Sequence, residues 1–147
     1  MCGIVGYIGK RNAVDILIDG LRKLEYRGYD SSGIAIIDHD QLVVEKAEGK
    51  LVNLQEKIKD MCLNSHIGIG HTRWATHGRP SDANAHPHTS RNGKFAVVHN
   101  GIVENYLTLK ETYLAGEHFT SETDTEVVAH LLEKFYNGNF EETVVKV

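Results

Sequence analysis

The sequence predicts a globular chain in which short strands alternate with amphipathic helices. Apolar residues make up 41% of its 147 residues and charged residues 24%, which is the balance of an ordinary globular domain. Short segments rich in β-branched residues end at glycine, and apolar residues at helical spacing follow several of them. The length corresponds to one domain that is large enough to bury a core.

The first half of the chain contains the clearest local signals. CGIVGYIG predicts a strand, and Asn12 predicts the N-cap of a helix that would end near Gly28. GIAIID and LVVEKA flank the polar sequence DHDQ and predict a β-hairpin. A second helix is expected from Leu51 to Met61, with Cys62 packed at its end as a small apolar side chain.

The second half predicts further strands and helices. HIGIGHT and KFAVVHN indicate strands, and the second is apolar enough to be a central strand. Helices are expected at 103–114 and from SETDTE, where Ser121 and Thr123 each precede an acid by three residues. Asn139 predicts the start of a last helix, and the given sequence ends about two turns into it, without a stop signal. This pattern suggests a fragment of a larger domain.

Composition excludes several classes of function. The formal net charge is −4 and no basic cluster is interleaved with aromatic residues, so a nucleic-acid partner is not expected. No apolar run approaches the roughly 20 residues of a membrane span, and no signal peptide precedes the first strand. Two cysteines form neither a disulfide framework nor a metal-binding pair. We therefore expect a cytoplasmic protein without membrane contact.

The position of Cys2 directly after the initiator methionine allows two interpretations, a chance cysteine or a reactive terminus. If Met1 is removed, Cys2 carries the α-amino group, whose reference pKa of about 8 leaves much of it unprotonated at neutral pH. The amine can accept the proton of its own thiol and later pass it to a leaving group. A cysteine at this position also occurs by chance, so Cys2 alone is weak evidence for catalysis.

Three other segments offer groups that suit amide hydrolysis by a thiol. Asn100 and Gly101 follow an apolar segment and could donate N–H groups to an oxyanion, although Asn-Gly is also a common turn. Arg73 could bind a substrate carboxylate through its planar guanidinium group, or could be an ordinary surface arginine. Asp124, predicted in the first turn of a helix, could bind a substrate ammonium group or merely cap that helix.

The order of the sequence blocks resembles that of the class II glutamine amidotransferases. The matching blocks are MCGIVGYIG, LEYRGYDSSGIA, GHTRWATHG, NAHPH, VVHNGIVENY and SETDTEV, and they extend from residue 1 to about 130. EYRGYD and HTRWATHG are most similar to the branch of the family that aminates fructose 6-phosphate. The resemblance implies an α+β fold of the N-terminal-nucleophile hydrolase type. This fold is a four-layer αββα sandwich with two mainly antiparallel sheets, truncated here on the C-terminal side.

The resemblance also implies a role for each matching residue. Cys2 would be the nucleophile, Asn100 and Gly101 would form the oxyanion hole, and Arg27 would support the nucleophile. Arg73 would bind the α-carboxylate of L-glutamine and Asp124 its α-amino group. The loop that closes over glutamine would contain Trp74, Thr76 and His77. Cys2 is expected to begin a strand beside the strand that ends at Asn100. No cofactor and no metal are implied.

The resemblance further implies that residues 1–147 are an incomplete glutaminase domain of a longer enzyme. The missing sugar-isomerase domain would bind fructose 6-phosphate, and the complete enzyme would be a homodimer that makes glucosamine 6-phosphate. Two alternatives remain open. One is a metal site built from His71, His77, His86 and His88, whose spacing matches no common zinc pattern. The other is a domain that binds an amino acid without cleaving it.

Overall fold

The structure, a computed structural model, describes residues 2–76 and 78–147. Its strands form two antiparallel sheets. The larger sheet contains β1 (Gly3–Ile8), β2 (Ser31–Asp38), β3 (Gln41–Glu48) and β4 (Ile67–Arg73), in the order β1-β4-β2-β3. The smaller sheet pairs β5 (His88–Thr89) with β6 (Ala96–Val97).

The described residues also form five α-helices and a short 3₁₀ turn at Glu25–Arg27. The helices are α1 (Ala13–Lys23), α2 (Leu51–Ile58), α3 (Tyr106–Tyr113), α4 (Glu126–Phe135) and α5 (Phe140–Lys146). None of the helices in residues 2–76 and 78–147 has the length and apolar character that crossing a membrane requires.

The start of α1 lies where its sequence predicts, but the helix ends earlier than predicted. The Asn12 side-chain oxygen accepts a hydrogen bond from the Val14 N–H at 3.2 Å, which confirms the N-cap. The helix ends at Lys23 rather than near Gly28. From Leu24 onward, backbone N–H groups donate to the carbonyl three residues earlier, as in a 3₁₀ helix. Gly28, with φ of 73°, ends the 3₁₀ turn that follows.

The predicted hairpin is confirmed by β2 and β3. Asp38 pairs with Gln41, so the turn contains only His39 and Asp40. Their φ angles of 47° and 61° belong to the tight turn whose twist matches that of the paired strands.

Helices α1 and α2 cover one face of the larger sheet. The buried apolar residues on this side are Ala13, Leu17, Ile18, Leu21, Ile34, Ile36, Ala47, Leu51, Leu54 and Ile58. Glycines on β4 permit the close approach of α1. A Cβ atom at Gly68 would lie 2.9 Å from Leu17 Cδ1 and 2.8 Å from Ile36 Cγ2.

The smaller sheet and α4 lie on the opposite face. A Cβ atom at Gly33 of β2 would overlap the carbonyl oxygen of His86, which shows how closely the two regions approach. Helix α4 packs on β5 and β6, and its Val127 and Leu131 form a second apolar cluster with Leu114. The order of layers is therefore helices, larger sheet, smaller sheet, helix.

Three of the predictions about Cys62 and the strands were wrong. Cys62 is exposed, because α2 ends at Ile58 and a turn closed by the Met61 N–H to the Ile58 carbonyl follows. KFAVVHN supplies only Ala96–Val97 to a two-stranded sheet and is not a central strand. The strand that follows Cys2 therefore pairs with β4, not with the segment that ends at Asn100.

The helices predicted in the second half of the chain are present, but two of them begin later than predicted. The helix expected at 103–114 begins at Tyr106, and the helix expected from SETDTE begins at Glu126. The last helix starts where predicted, since the Asn139 side chain accepts the Glu142 N–H at 3.2 Å.

Candidate active site

Three strand ends meet at one edge of the larger sheet. Gly3 at the start of β1 pairs with Thr72 near the end of β4, and Ser31 at the start of β2 pairs with Arg73. The residues next to these strand ends, Cys2 and Asp30, therefore lie on opposite sides of the end of β4 although they are distant in the sequence.

The thiol of Cys2 contacts the backbone of Trp74. The Trp74 N–H donates to Cys2 Sγ at 3.3 Å, and the thiol donates to the Trp74 carbonyl oxygen at 3.7 Å. The half-buried side chain is thus held at the end of β4 by both polar groups of one residue. The N–H donor would also stabilise negative charge on the sulfur.

One cavity of ≈ 270 Å³ opens beside this thiol. Six of the predicted residues line it: Cys2, Arg73, Trp74, Thr76, Gly101 and Asp124. Five further residues line it: His86, which the metal-site alternative named, and His99, Ile102, Thr123 and Thr125, which were not proposed as site residues. The structure therefore gathers a thiol, a cation and a carboxylate around one small volume.

Arg73 is buried at the end of β4, with 3% of its surface exposed. Burial lowers the pKa of its guanidinium, and the charges of Asp30, Cys2 and Asp124 oppose that shift. Asp30 also fixes the backbone on both sides of Trp74. Its N–H donates to the Arg73 carbonyl at 2.7 Å, and its carboxylate accepts the Ala75 N–H at 2.7 Å. Asp30 is thus a site residue that sequence reasoning did not single out.

Asp124 is buried but lies two residues before α4, so its predicted place in the first helical turn was wrong. Its carboxylate accepts the Val103 N–H at 2.6 Å. The helix begins late because Ser121 and Thr123 do not cap it. Ser121 instead donates to the Glu126 carboxylate, and Thr123 bonds to His88 at 2.8 Å.

Glu126 ties the segment before α4 to the helix itself. Its carboxylate accepts the Thr120 N–H at 2.8 Å and the Ser121 N–H at 2.7 Å. Burial would raise the pKa of Glu126, but the hydrogen bonds from Ser121 and Thr120 outweigh it and hold that pKa below its ordinary value. The charged carboxylate therefore stabilises the turn that carries Asp124.

Asn100 and Gly101 follow β6, and Asn100 is exposed and does not belong to the cavity lining. Asn100 Oδ1 lies 2.7 Å from His71 Nε2, and Gly101 lines the cavity itself. A Cβ atom at Gly101 would lie 2.6 Å from His99 Nε2, so a larger residue would displace that ring.

Of the other predicted residues, Trp74 and Thr76 line the cavity and Arg27 does not. Trp74 is 54% exposed, and its ring covers Gly28. Thr76 is exposed and lines the cavity, whereas Arg27 belongs to the 3₁₀ turn before β2. His77 lies outside the described residues.

Three buried histidines, His71, His86 and His88, pack together and are called the histidine floor, and His86 lines the cavity. The rings of His71 and His86 stack with centroids 4.3 Å apart, and His88 meets His86 edge-on at 4.5 Å. Burial lowers the pKa of His71 to about 4 and that of His88 to about 3, and it also lowers the pKa of His86. All three are therefore neutral at pH 7. His86 and His88 stand close together in NAHPH and His71 stands in GHTRWATHG, and the sequence named them only as members of the metal-site alternative.

No group of three or more His, Cys, Asp or Glu side chains in residues 2–76 and 78–147 is arranged to hold a metal ion.

A family described as "Glutamine amidotransferase domain" matches residues 38–143 of the chain. This chain belongs to the glutamine amidotransferase family. The match covers most of the chain and includes β4, the histidine floor and the loop that carries Asp124, and the resemblance given by the sequence blocks is confirmed.

Two curated relatives share the name glutamine–fructose-6-phosphate aminotransferase [isomerizing]. The protein of Thermus thermophilus is 60% identical over 145 residues and that of Clostridium tetani 56% identical over 146 residues. These matches cover 98% and 99% of this chain but 24% of each relative. The chain thus spans about a quarter of the length of the curated relatives that it matches.

Solved structures show the same fold. The glutamine phosphoribosylpyrophosphate amidotransferase of B. subtilis, solved with ADP and GMP, superposes with a TM-score of 0.81 at 27% identity. A structure titled as the allosteric regulatory enzyme of purine biosynthesis gives 0.83 at 27% identity. Each match covers 99% of this chain and 32% of the solved chain. The α+β fold of the N-terminal-nucleophile amidotransferases, which the resemblance predicted, is confirmed.

Proposed function

We propose that this chain hydrolyses L-glutamine to glutamate and ammonia, with Cys2 as the nucleophile after Met1 is removed. The observation that carries the proposal is that Cys2, Arg73 and Asp124 line one cavity of ≈ 270 Å³. A thiol beside a buried cation and a buried carboxylate suits an amide substrate that also carries an α-carboxylate and an α-ammonium group.

The reaction begins with loss of the thiol proton. The α-amine of Cys2 accepts that proton, directly or through water, and the thiolate attacks the side-chain carbonyl carbon of glutamine. The Trp74 N–H, which donates to Cys2 Sγ at 3.3 Å, stabilises the thiolate before attack. A new C–S bond forms as the carbonyl π electrons move to oxygen.

The resulting oxyanion is stabilised by donors in the segment after β6. The Gly101 N–H and the Asn100 side-chain N–H are the groups that we assign to this role. Gly101 lines the cavity together with Cys2, which supports the assignment. Fixed donors of this kind stabilise the charge of the transition state more than that of the neutral amide.

Collapse of the tetrahedral intermediate completes the first half-reaction. The C–N bond breaks, and the protonated α-amine returns its proton to the leaving nitrogen, which departs as ammonia. A thioester of Cys2 remains. Water, deprotonated by the same amine, then attacks the thioester, and glutamate leaves as the thiol is regenerated.

Recognition of the substrate rests on the two charged side chains. Arg73 binds the α-carboxylate and Asp124 the α-ammonium group, so free glutamine is preferred to peptide-linked glutamine. Both side chains are buried, with 3% and 4% of their surfaces exposed, which strengthens their attraction for the matching substrate charges. Trp74, Thr76 and His77 belong to the loop that closes over the substrate, and Arg27 supports the nucleophile from the 3₁₀ turn.

The test replaces the two cysteines separately. Cys2→Ala should abolish release of glutamate and ammonia without lowering thermal stability, because Cys2 is a half-buried terminal residue. Cys62→Ala is the matched control and should leave turnover unchanged, since Cys62 is exposed and does not line the cavity.

Retention of Met1 should also inactivate the chain, because the base becomes an amide nitrogen. Glutamine binding without turnover by the processed wild type would favour a binding domain instead.

The wider role that we propose follows from the relatives. A longer protein would contain a sugar-isomerase domain, deliver the ammonia to fructose 6-phosphate, form a homodimer and act in the cytoplasm. The names of the Thermus and Clostridium relatives, of which this chain matches 24%, support the part of this proposal that concerns amination of fructose 6-phosphate. Residues 1–147 alone should release one ammonia per glutamate, at a rate that fructose 6-phosphate does not change. Amino-sugar formation by these residues alone would contradict the division of labour.

A further inference from the structure

We propose that the stacked pair His71–His86 is a positioning device that orients the Asn100 amide and fixes the backbone beside it. The inference rests on the proposed function, in which the Asn100 side chain stabilises the oxyanion. His71 reaches Asn100 from β4, and His86 reaches the preceding residue, His99. Neither histidine needs to touch the reacting atoms for this role.

The contacts of His71 determine which ring nitrogen carries its proton. Nε2 lies 2.7 Å from Asn100 Oδ1 and 3.2 Å from the His99 carbonyl oxygen. Both partners are acceptors, so Nε2 bears the hydrogen and donates. Nδ1 of the same ring is buried without a hydrogen-bond partner among the described residues, as suits a neutral ring with a bare Nδ1.

The contacts of His86 require the same tautomer, with a bare Nδ1. Its Nδ1 lies 3.3 Å from the His99 N–H, so this nitrogen accepts and carries no hydrogen. The ring stacks on His71 with centroids 4.3 Å apart and an angle of 18° between the planes. The two rings thus bind the N–H and the carbonyl of His99, the residue before Asn100. A third contact joins His99 Nδ1 to Thr125 Oγ1 at 3.2 Å.

This arrangement selects one orientation of the Asn100 amide. A flipped amide would place its N–H₂ group against the Nε2–H of His71, so two donors would face each other. With Oδ1 bound to His71, the N–H₂ end remains available for an oxyanion. Burial keeps both rings neutral at pH 7, which preserves the pattern of donors and acceptors.

The kinetic test compares His71→Phe with His71→Gln. Phenylalanine keeps the ring stack but removes the donor, whereas the glutamine N–H₂ group can replace Nε2. We expect His71→Phe to lower kcat by about 10- to 100-fold with KM changed less than about twofold, because an oxyanion donor acts in the transition state. His71→Gln should recover most of the loss. His66→Phe, at an exposed histidine outside the cavity, is the control and should have no effect.

A double-mutant cycle shows whether His71 acts through Asn100. In an Asn100→Ala background, His71→Phe should cause no further loss of kcat, because the amide that it orients is gone. An equal further loss, or a rise in KM with unchanged kcat, would overturn the proposal. So would a His71→Gln protein as slow as His71→Phe with an unchanged melting temperature.

Nitrogen-15 NMR of the wild-type histidines tests the geometry without any variant or any turnover. The expected spectrum shows His71 protonated at Nε2 and bare at Nδ1, and His86 bare at Nδ1. A proton on Nδ1 of either ring would overturn the proposal, even if a His71 variant failed to fold. Absence of glutaminase activity in the processed wild type would instead reject the proposed function, and the NMR result would still decide the contacts.

Discussion

The two faces of the larger sheet are stabilised in different ways. The face towards α1 and α2 buries apolar side chains such as Leu17, Leu21 and Leu54, none of which is exposed. The opposite face buries polar groups that bond to one another, including His71, His88 and Thr123. Apolar burial is non-directional, whereas each buried polar group requires a partner in a fixed direction. The apolar face therefore supplies stability, and the polar face positions functional groups.

The largest expected effect on the polar face is its response to acid. Burial lowers the pKa of His88 to about 3 from an ordinary value of 6.5, so the unfolded chain binds a proton that the folded chain excludes. The contribution of neutral, buried His88 to the free energy of unfolding is complete above about pH 6.5 and is lost as the pH falls towards 3. The free energy of unfolding should decrease by about 1.4 kcal/mol per pH unit for each such histidine in this window, several kcal/mol in all.

Denaturant unfolding between pH 4 and pH 7 measures this effect. His88→Gln, whose neutral amide can still bond to Thr123, should reduce the slope against pH by about the contribution of one histidine. His118→Gln is the matched control, because His118 is exposed and its replacement should leave the slope unchanged. An unchanged slope in His88→Gln would show that the polar face does not exclude protons as its burial implies.

The apolar face should respond to loss of volume instead. Leu54→Ala removes a side chain that is 0% exposed and should lower the free energy of unfolding by about 2–5 kcal/mol at every pH. The kcat of the folded protein should stay within about twofold of the wild type, because Leu54 belongs to the core cluster beneath α2 and does not line the cavity. Urea unfolding and glutamate release measure the two quantities. A large loss of kcat with little loss of stability would contradict the separation of the two faces.

The smallest expected effect on stability comes from a substitution where β2 of the larger sheet contacts the segment that carries His86. Gly33→Ala places a methyl group against the His86 carbonyl oxygen and should cost about 1–3 kcal/mol of stability. It should also lower kcat, because it displaces the backbone of His86. Gly6→Ala, in β1 of the same sheet, is the matched control, since nothing lies within 4 Å of the added methyl group. Normal activity in Gly33→Ala would show that the regions can separate without disturbing the site.

Local sequence determined the elements whose signals lie within a few residues. The N-caps at Asn12 and Asn139 depend on hydrogen bonds spanning two and three residues, and the β2–β3 hairpin depends on a two-residue turn. These contacts form between neighbours in the chain, so composition and spacing predicted them. The resemblance of whole sequence blocks added the family, and with it the residues gathered around the cavity.

The tertiary structure alone decided the partners of those residues. Trp74 holds Cys2 across 72 positions through the register of β1 and β4, which no local period encodes. His71 holds Asn100 across 29 positions through a side-chain contact between β4 and the segment after β6. Cys62 is exposed and Asp124 precedes its helix because turns and buried side-chain hydrogen bonds replaced the expected helical contacts. The physical reason is directional bonding. A buried donor takes whichever acceptor the fold places within about 3 Å, and that choice depends on distant segments of the chain.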